Sequence, residues 1–321
     1  MRDRYGRDIN YMRISITDRC DLRCRYCMPE EGIEKVAMSR ILTYEEILEI
    51  CRAAAALGIS RFKVTGGEPL VRLGCAELCA EMKQIPGVEQ VTLTTNGQQL
   101  ARYVPALKEA GIDGINVSLD TMREDRFHWI TGRGEISKTL EGIDEAIRAG
   151  LKTKVNCLLQ KDFNEDELPD FAELAFTKGI DVRFIEIMPI GFGRPDTGLS
   201  NETVLQRLEQ LYPDLTPDER VHGNGPAVYY RRPGQAGAIG LISAMHASFC
   251  GSCNRIRLTS QGQVKPCLCY EESYDLVPAL KSGDEETLRK ALEEAVLGKP
   301  SGHTFHDRSS VEHRSMVEIG G

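Results

Sequence analysis

From residue 12 to about residue 190 the chain alternates between short β-rich runs and longer segments of helical periodicity. The runs are 12–16, 61–65, 90–94, 114–119, 154–159 and 182–187, each rich in Val, Ile, Thr or Phe. Between them apolar residues recur with a helical period. Thr43-Tyr44-Glu45-Glu46 reads as a capping box, opening a helix that carries Ile47, Leu48 and Ile50 and stops at Gly58. Ser137 opens a second helix that ends at Gly150, and residues 165–178 form a third, followed by Gly179. This alternation predicts βα units, a parallel sheet and hence an α/β fold. Six such units with helices outside predict a partial (β/α)6 TIM-like barrel, whose site lies at the C-terminal ends of the strands. A doubly wound sheet is the alternative, weakened because no G-x-G-x-x-G follows the first run.

The pattern changes after residue 190. Residues 191–235 are rich in Gly and Pro and hold one helix near 202–211. Short strands are expected at 227–231, 238–242, 255–259 and 263–265, the last two joined by a turn at Ser260-Gln261-Gly262. A late amphipathic helix covers 284–296. We therefore expect a barrel over 1–190 and a C-terminal extension over 191–321.

Composition narrows the class. With 321 residues, 41% hydrophobic and 27% charged, the chain reads as an ordinary globular protein with a sizeable core. No apolar leader stands at the N-terminus and no run approaches the length of a membrane span, so a cytoplasmic location and no membrane partner are expected. A net charge of −8 argues against broad nucleic-acid binding but leaves room for a small anion in a local basic pocket.

In a cytosolic setting, clustered cysteines point to metal or redox chemistry. Three of the eleven stand at Cys20, Cys24 and Cys27, with Arg25 and Tyr26 between the last two. Iron–sulfur cubes normally take four thiolates, so three leave one iron open, as a catalytic metal site requires. A structural zinc site is the alternative, although zinc usually uses paired C-x2-C spacing. Thr65-Gly66-Gly67-Glu68-Pro69 follows a predicted strand. Its glycines permit close backbone approach to a ligand, and Glu68 supplies an acceptor for an ammonium group; a plain βα turn is the bland reading.

A second group, Cys250, Cys253 and Cys267, again has cluster spacing. Cys269 lies two further on, and on a strand it would share a face with Cys267. A four-cysteine zinc ribbon competes, with a second pair too tight for the type. Arg255 and Arg257 follow Cys253 at a spacing of two, so on a strand both point one way, where their forks suit phosphate oxygens; a solvated strand face is the alternative. Cys51, Cys75, Cys79 and Cys157 sit among apolar residues and read as core. His246, His303, His306 and His313 receive no role.

The C-x3-C-x-aromatic-C run and the Gly66-Gly67-Glu68 loop resemble the radical S-adenosylmethionine (SAM) enzymes. Four further stretches resemble one family within them: residues 12–20, residues 184–189, the Cys250–Arg257 run and the terminal Gly320-Gly321. That family is molybdenum cofactor biosynthesis protein A, the GTP 3′,8-cyclases. The resemblance implies two [4Fe–4S] clusters, one on Cys20, Cys24 and Cys27 with SAM, the other on Cys250, Cys253 and Cys267 with its open iron facing the guanine of GTP. It implies SAM contacts at Tyr26, Gly67, Glu68, Ser118 and Met188, and GTP contacts at Arg13, Lys63, Thr94, Lys154, Arg255 and Arg257. Lys63 departs from the arginine common in the family, and Cys269 is a further departure, taken as a bystander. The implied reaction is a lyase's: a 5′-deoxyadenosyl radical takes hydrogen from ribose C3′, and the carbon radical attacks C8. The product would be (8S)-3′,8-cyclo-7,8-dihydroguanosine 5′-triphosphate, in the first step of molybdenum cofactor biosynthesis. An electron donor, a downstream cyclic pyranopterin monophosphate synthase and a homodimer are the implied partners. Gly320 and Gly321 are expected to reach into the barrel as catalytic groups, beside Lys154 or Arg13. Two other classes compete, a radical SAM enzyme acting on peptides through an auxiliary cluster and a two-cluster electron carrier.

Overall fold

The computed structural model describes residues 1–34, 36–246, 249–305 and 312–320. Its frame is six parallel strands in chain order: β1 (Tyr11–Ser15), β2 (Arg61–Thr65), β3 (Gln90–Thr95), β4 (Gly114–Ser118), β5 (Thr153–Cys157) and β6 (Asp181–Ile185). Six helices lie in the connections: α1 (Tyr44–Ala56), α2 (Cys75–Gln84), α3 (Leu100–Glu109), α4 (Glu124–Thr131), α5 (Ile136–Arg148) and α6 (Leu168–Lys178). The strand order never reverses, which excludes the doubly wound alternative. Observed strand ends differ from the predicted ones by one or two residues.

Local chemistry explains the helix ends. The Thr43 hydroxyl accepts from the Glu46 amide at 3.2 Å, and the Glu46 carboxylate accepts from the Thr43 amide at 2.7 Å. Such a cap stabilises a helix start by about 1 kcal/mol. Gly58 just beyond α1 and Gly179 after α6 have φ of +86° and +67°, which L side chains rarely adopt. Ser137 does not cap its helix; α5 begins at Ile136 without a side-chain cap.

Strand parity separates two environments. Met12 and Ile14, Phe62 and Val64, Val91 and Leu93, Ile115 and Val117, and Val182 and Phe184 are buried in one apolar layer. The residues between them (Arg13, Lys63, Thr92, Thr94, Asn116, Lys154, Arg183) face a common interior.

The extension does not stand apart from this sheet. After α7 (Asn201–Leu211) come β7 (Thr216–Pro217), β8 (Val228–Arg231), β9 (Ala238–Ile242), β10 (Arg255–Leu258), β11 (Gln263–Lys265) and β12 (Tyr274–Asp275), then α8 (Val277–Ser282) and α9 (Glu285–Leu297). β9 joins β6 in parallel and β10 joins β1 in parallel, so one twelve-stranded sheet runs across residue 190. The hairpin at residues 259–262 is where the sequence predicts it.

Candidate active site

Two sets of cysteines lie at opposite mouths of one interior. Cys20, Cys24 and Cys27 follow the C-terminal end of β1, and their loop is pinned to the end of α4: the Arg23 amide donates to Thr131 O and the Arg25 amide to Ile130 O. Asn96 Nδ2 lies 3.8 Å from Cys20 Sγ. Burial pushes the Cys20 and Cys27 thiols up to about 12, with Glu68 adding to the effect at Cys20, and holds Cys24 well above its ordinary range.

Gly66 and Gly67 also meet backbone of the chain itself. A Cβ on Gly67 would stand 2.3 Å from Arg19 O, and one on Gly66 2.8 Å from Thr17 O. The Gly67 amide donates to Thr17 O and the Glu68 amide to Arg19 O. The glycines admit the cysteine loop's own backbone.

Glu68 is buried beyond them. Its carboxylate accepts from Leu70 N at 3.0 Å, Thr95 Oγ1 at 2.8 Å and Asn96 N at 2.6 Å. Burial raises its pKa to about 7 despite those donors, and no cation pairs with it among the described residues. Tyr26 donates to Asp120 Oδ2 at 2.7 Å, and burial raises Asp120 to about 6. Tyr26, Gly67, Glu68, Ser118, Asp120, Met188 and the three thiols line one cavity, shared at its inner end by Arg13, Thr94 and Arg257.

Deeper in, the interior is cationic. Arg13 is in register with Lys63 on one side and Arg257 on the other, and Tyr11 with Arg255. Arg183, Lys154 and Thr94 line the same space. Burial, then the charges of Arg183, Arg13, Lys154 and Arg255, hold the Lys63 ammonium well below the ordinary lysine range. Lys154 is tied at the N-terminal mouth. Its Nζ lies 2.6 Å from Asp181 Oδ2 and 3.2 Å from Tyr229 Oη, and donates to His222 O. The His222 ring stacks on Tyr229 at 3.9 Å and bridges Asp181 and Asp218.

The second set lies at that mouth. Cys253 precedes β10, which runs parallel to β1, and Cys267 follows antiparallel β11, returning to the level of Arg255. Burial opposes ionisation of Cys253, but the Lys299 and Arg255 charges outweigh it and lower its pKa. Lys299 donates to Arg255 O at 2.9 Å and Pro266 O at 2.7 Å. Arg7, paired with Asp3 at 2.6 Å, donates to Cys250 O, Pro300 O and Ser301 O. Residues 267–269 are not a strand, so the strand that would set Cys267 and Cys269 on one face is not there, although both pack against the same small cluster. Cys269 packs with Ile190, Phe305 and Ile319 under Thr304.

The tail enters the C-terminal mouth. Lys265 and Glu312 form a fully buried ion pair, Glu312 also holds Arg314, and Met316 and Val317 line the cavity. Arg257 Nη1 donates to Gly320 O at 2.7 Å, so the described tail meets Arg257, while Lys154 is engaged elsewhere. Gly321 and His306 lie outside the described residues. His246 bonds Glu186, His303 packs its ring at a tilt against Phe305 and His313 faces Glu271 at the surface.

Among the described residues no three His, Cys, Asp or Glu side chains converge on one ion position. A zinc ion at about 2.3 Å from each thiolate would draw sulfurs to roughly 3.8 Å of one another. A cube takes one thiolate per iron, and each set supplies three, which leaves one iron open.

Asp120, Arg183, Asp181 and Lys299 escaped the reading of the sequence. Arg183 was legible in Asp181-Val182-Arg183-Phe184, where charge alternates with core, and Asp120 in its spacing of two from Ser118.

Comparison with known proteins agrees with this geometry. The family model described as the Radical SAM superfamily matches residues 14–175, and that described as Molybdenum Cofactor Synthesis C matches 180–305. Relatives named GTP 3′,8-cyclase are 46% identical in Alkaliphilus oremlandii, 41% in Clostridium perfringens and 43% in Moorella thermoacetica, each over all of both chains. The Streptococcus suis protein SuiB, in its structure bound to S-adenosylmethionine, shares the fold with a TM-score of 0.62 at 14% identity, over 97% of this chain and 77% of SuiB. The chain belongs to the radical SAM superfamily and, within it, to the GTP 3′,8-cyclase family.

Proposed function

We propose that this protein joins ribose C3′ of GTP to C8 of its guanine, the reaction that opens molybdenum cofactor biosynthesis. One observation carries the reading: a cationic interior between two sets of three thiols. A nucleoside triphosphate is the ligand that such a space suits, since Arg13, Lys63, Arg183, Arg255 and Arg257 offset its charge with fork-shaped and point donors. In our reading Thr94 and Lys154 also face the nucleotide.

Cys20, Cys24 and Cys27 would hold the cluster that binds SAM, and Cys250, Cys253 and Cys267 the one that takes the guanine. Together with an electron donor, the first cluster and SAM supply a carbon-centred radical. The chain's own residues do the rest. Glu68, already ringed by three donors, has acceptor capacity left for the SAM ammonium. Tyr26, Gly67, Ser118 and Met188 line the space for the rest of that molecule. Met316 and Val317 cover the mouth and keep water from the reacting carbon. Arg257, turned to Gly320 O, is set to order substrate and tail together.

We assign the reaction to the lyases and the protein to the cytoplasm, as a homodimer, with residues 191–321 acting as the substrate and second-cluster part. Its product would pass to a cyclic pyranopterin monophosphate synthase. The test is anaerobic reconstitution with SAM, reductant and GTP. About eight irons per chain and a cyclised nucleotide are expected. SAM cleavage stimulated by a peptide but not by GTP would replace this reading with the peptide-modifying one.

A further inference from the structure

Among the described residues Lys299 is a buried cation with no carboxylate to pair it. It is 4% exposed, and no carboxylate lies within ion-pair reach of it among the described residues. Nearby Arg7 shows the ordinary solution: equally buried, it is paired with Asp3 at 2.6 Å. Buried charges are otherwise almost always paired.

What surrounds the ammonium indicates its partner. Two of its three N–H groups go to Arg255 O and Pro266 O. Those carbonyls belong to the backbone just after Cys253 and just before Cys267. The ammonium thus joins the two cysteine segments through their backbone. Gly298 sets the position: a Cβ there would stand 1.9 Å from Tyr274 Oη, so α9 ends close against that ring and Lys299 emerges inward. The next two residues are held to Cys250 O through Arg7.

We propose that Lys299 is the resident counter-charge of the second iron–sulfur cluster, fastening the Cys253 and Cys267 segments to each other and raising the cluster's reduction potential. This rests on the two-cluster reading above. A thiolate-ligated cube is anionic, and each electron added makes it more so. A fixed ammonium beside the sulfurs therefore favours the reduced state and draws the potential upward. It acts through the thiolates and the backbone, as a positioning residue.

The test uses the full chain with Cys20, Cys24 and Cys27 replaced by Ala, so that only the second cluster forms. This parent is reconstituted anaerobically beside the same chain carrying Lys299→Met or Lys299→Arg. Iron content, circular dichroism and the midpoint potential from a redox titration are read. The parent should carry about four irons. Lys299→Met should fold normally and either lower the midpoint or lose at least half of that iron, and Lys299→Arg should restore whichever is lost. Full iron with an unchanged midpoint in Lys299→Met overturns the proposal. So does an equal loss in both variants, which would mean that packing alone matters. A parent with no iron removes the two-cluster reading itself, and the proposal with it.

Discussion

Replacing Gly320 with Ala tests the tail at one atom. Gly320 has φ of +78°, and a Cβ there would stand 2.9 Å from Ser15 Cβ. The left-handed backbone costs a non-glycine residue roughly 1–2 kcal/mol. Forcing a methyl into a filled space typically adds about 1–3 kcal/mol. Ser15 cannot move away easily, because it is buried on β1 and its hydroxyl bonds Thr17 O at 3.1 Å. The sum, about 2–5 kcal/mol, shifts the seating of the last residues by roughly thirty- to several thousand-fold. The buried Lys265–Glu312 pair holds the upstream tail, so the chain stays folded and only the Gly320–Arg257 contact is lost. The assay compares 5′-deoxyadenosine with cyclised nucleotide in reconstituted Gly320→Ala. SAM cleavage should persist while cyclisation falls at least tenfold. Adding Ser15→Gly removes the clash but not the backbone strain, so it should recover part of the loss. Full-rate cyclisation in Gly320→Ala, or no recovery in the double variant, refutes the reasoning.

Three further outcomes are expected. Arg183→Ala should weaken GTP binding about ten- to a hundred-fold, from the loss of about 1.5–3 kcal/mol in a charge-assisted contact, with guanosine little affected; titration calorimetry reads both. Gly67→Ala should part the strand-like contact at Arg19 O and lower iron from about eight to about four per chain, leaving the second cluster in place. Lys63, held well below its ordinary pKa, binds fewer protons folded than unfolded, so its share of stability grows as pH rises toward the ordinary lysine range. A triphosphate opposes that depression, so GTP binding should take up a proton and weaken as pH rises through the free-site pKa; calorimetry in two buffers of different ionisation enthalpy measures the uptake.

The frame was legible because it is local. Six β-rich runs, the Thr43 capping box and the 259–262 hairpin are each set by neighbours in sequence. That β9 and β10 would take opposite edges of one sheet was not legible, since Tyr11 meets Arg255 only through the fold. The cysteine sets and the Arg255–Arg257 pair stood out through spacing. The Gly66–Gly67 pair stood out, but its packing against the cysteine loop did not, because the backbone it admits lies about fifty residues upstream. Lys299 carried no signal at all: one lysine after a helix looks like any other until both cysteine segments fold against it.

The placing of β9 and β10 also has a consequence for how the chain is made. Synthesis delivers the six central strands first, with β1 and β6 both presenting unpaired backbone outward. β6 waits for residues 238–242, but β1 stays open until residues 255–258 emerge. Pairings of such long range form slowly, and an uncovered parallel edge in the meantime is an invitation to foreign strands. The segment that seals β1 brings Cys253 with it, and β11, pairing next on its outer side, brings Cys267, so closing this side of the sheet and assembling the second thiol set go together. Iron supply would then bear on how much newly made chain escapes aggregation, before any catalysis begins.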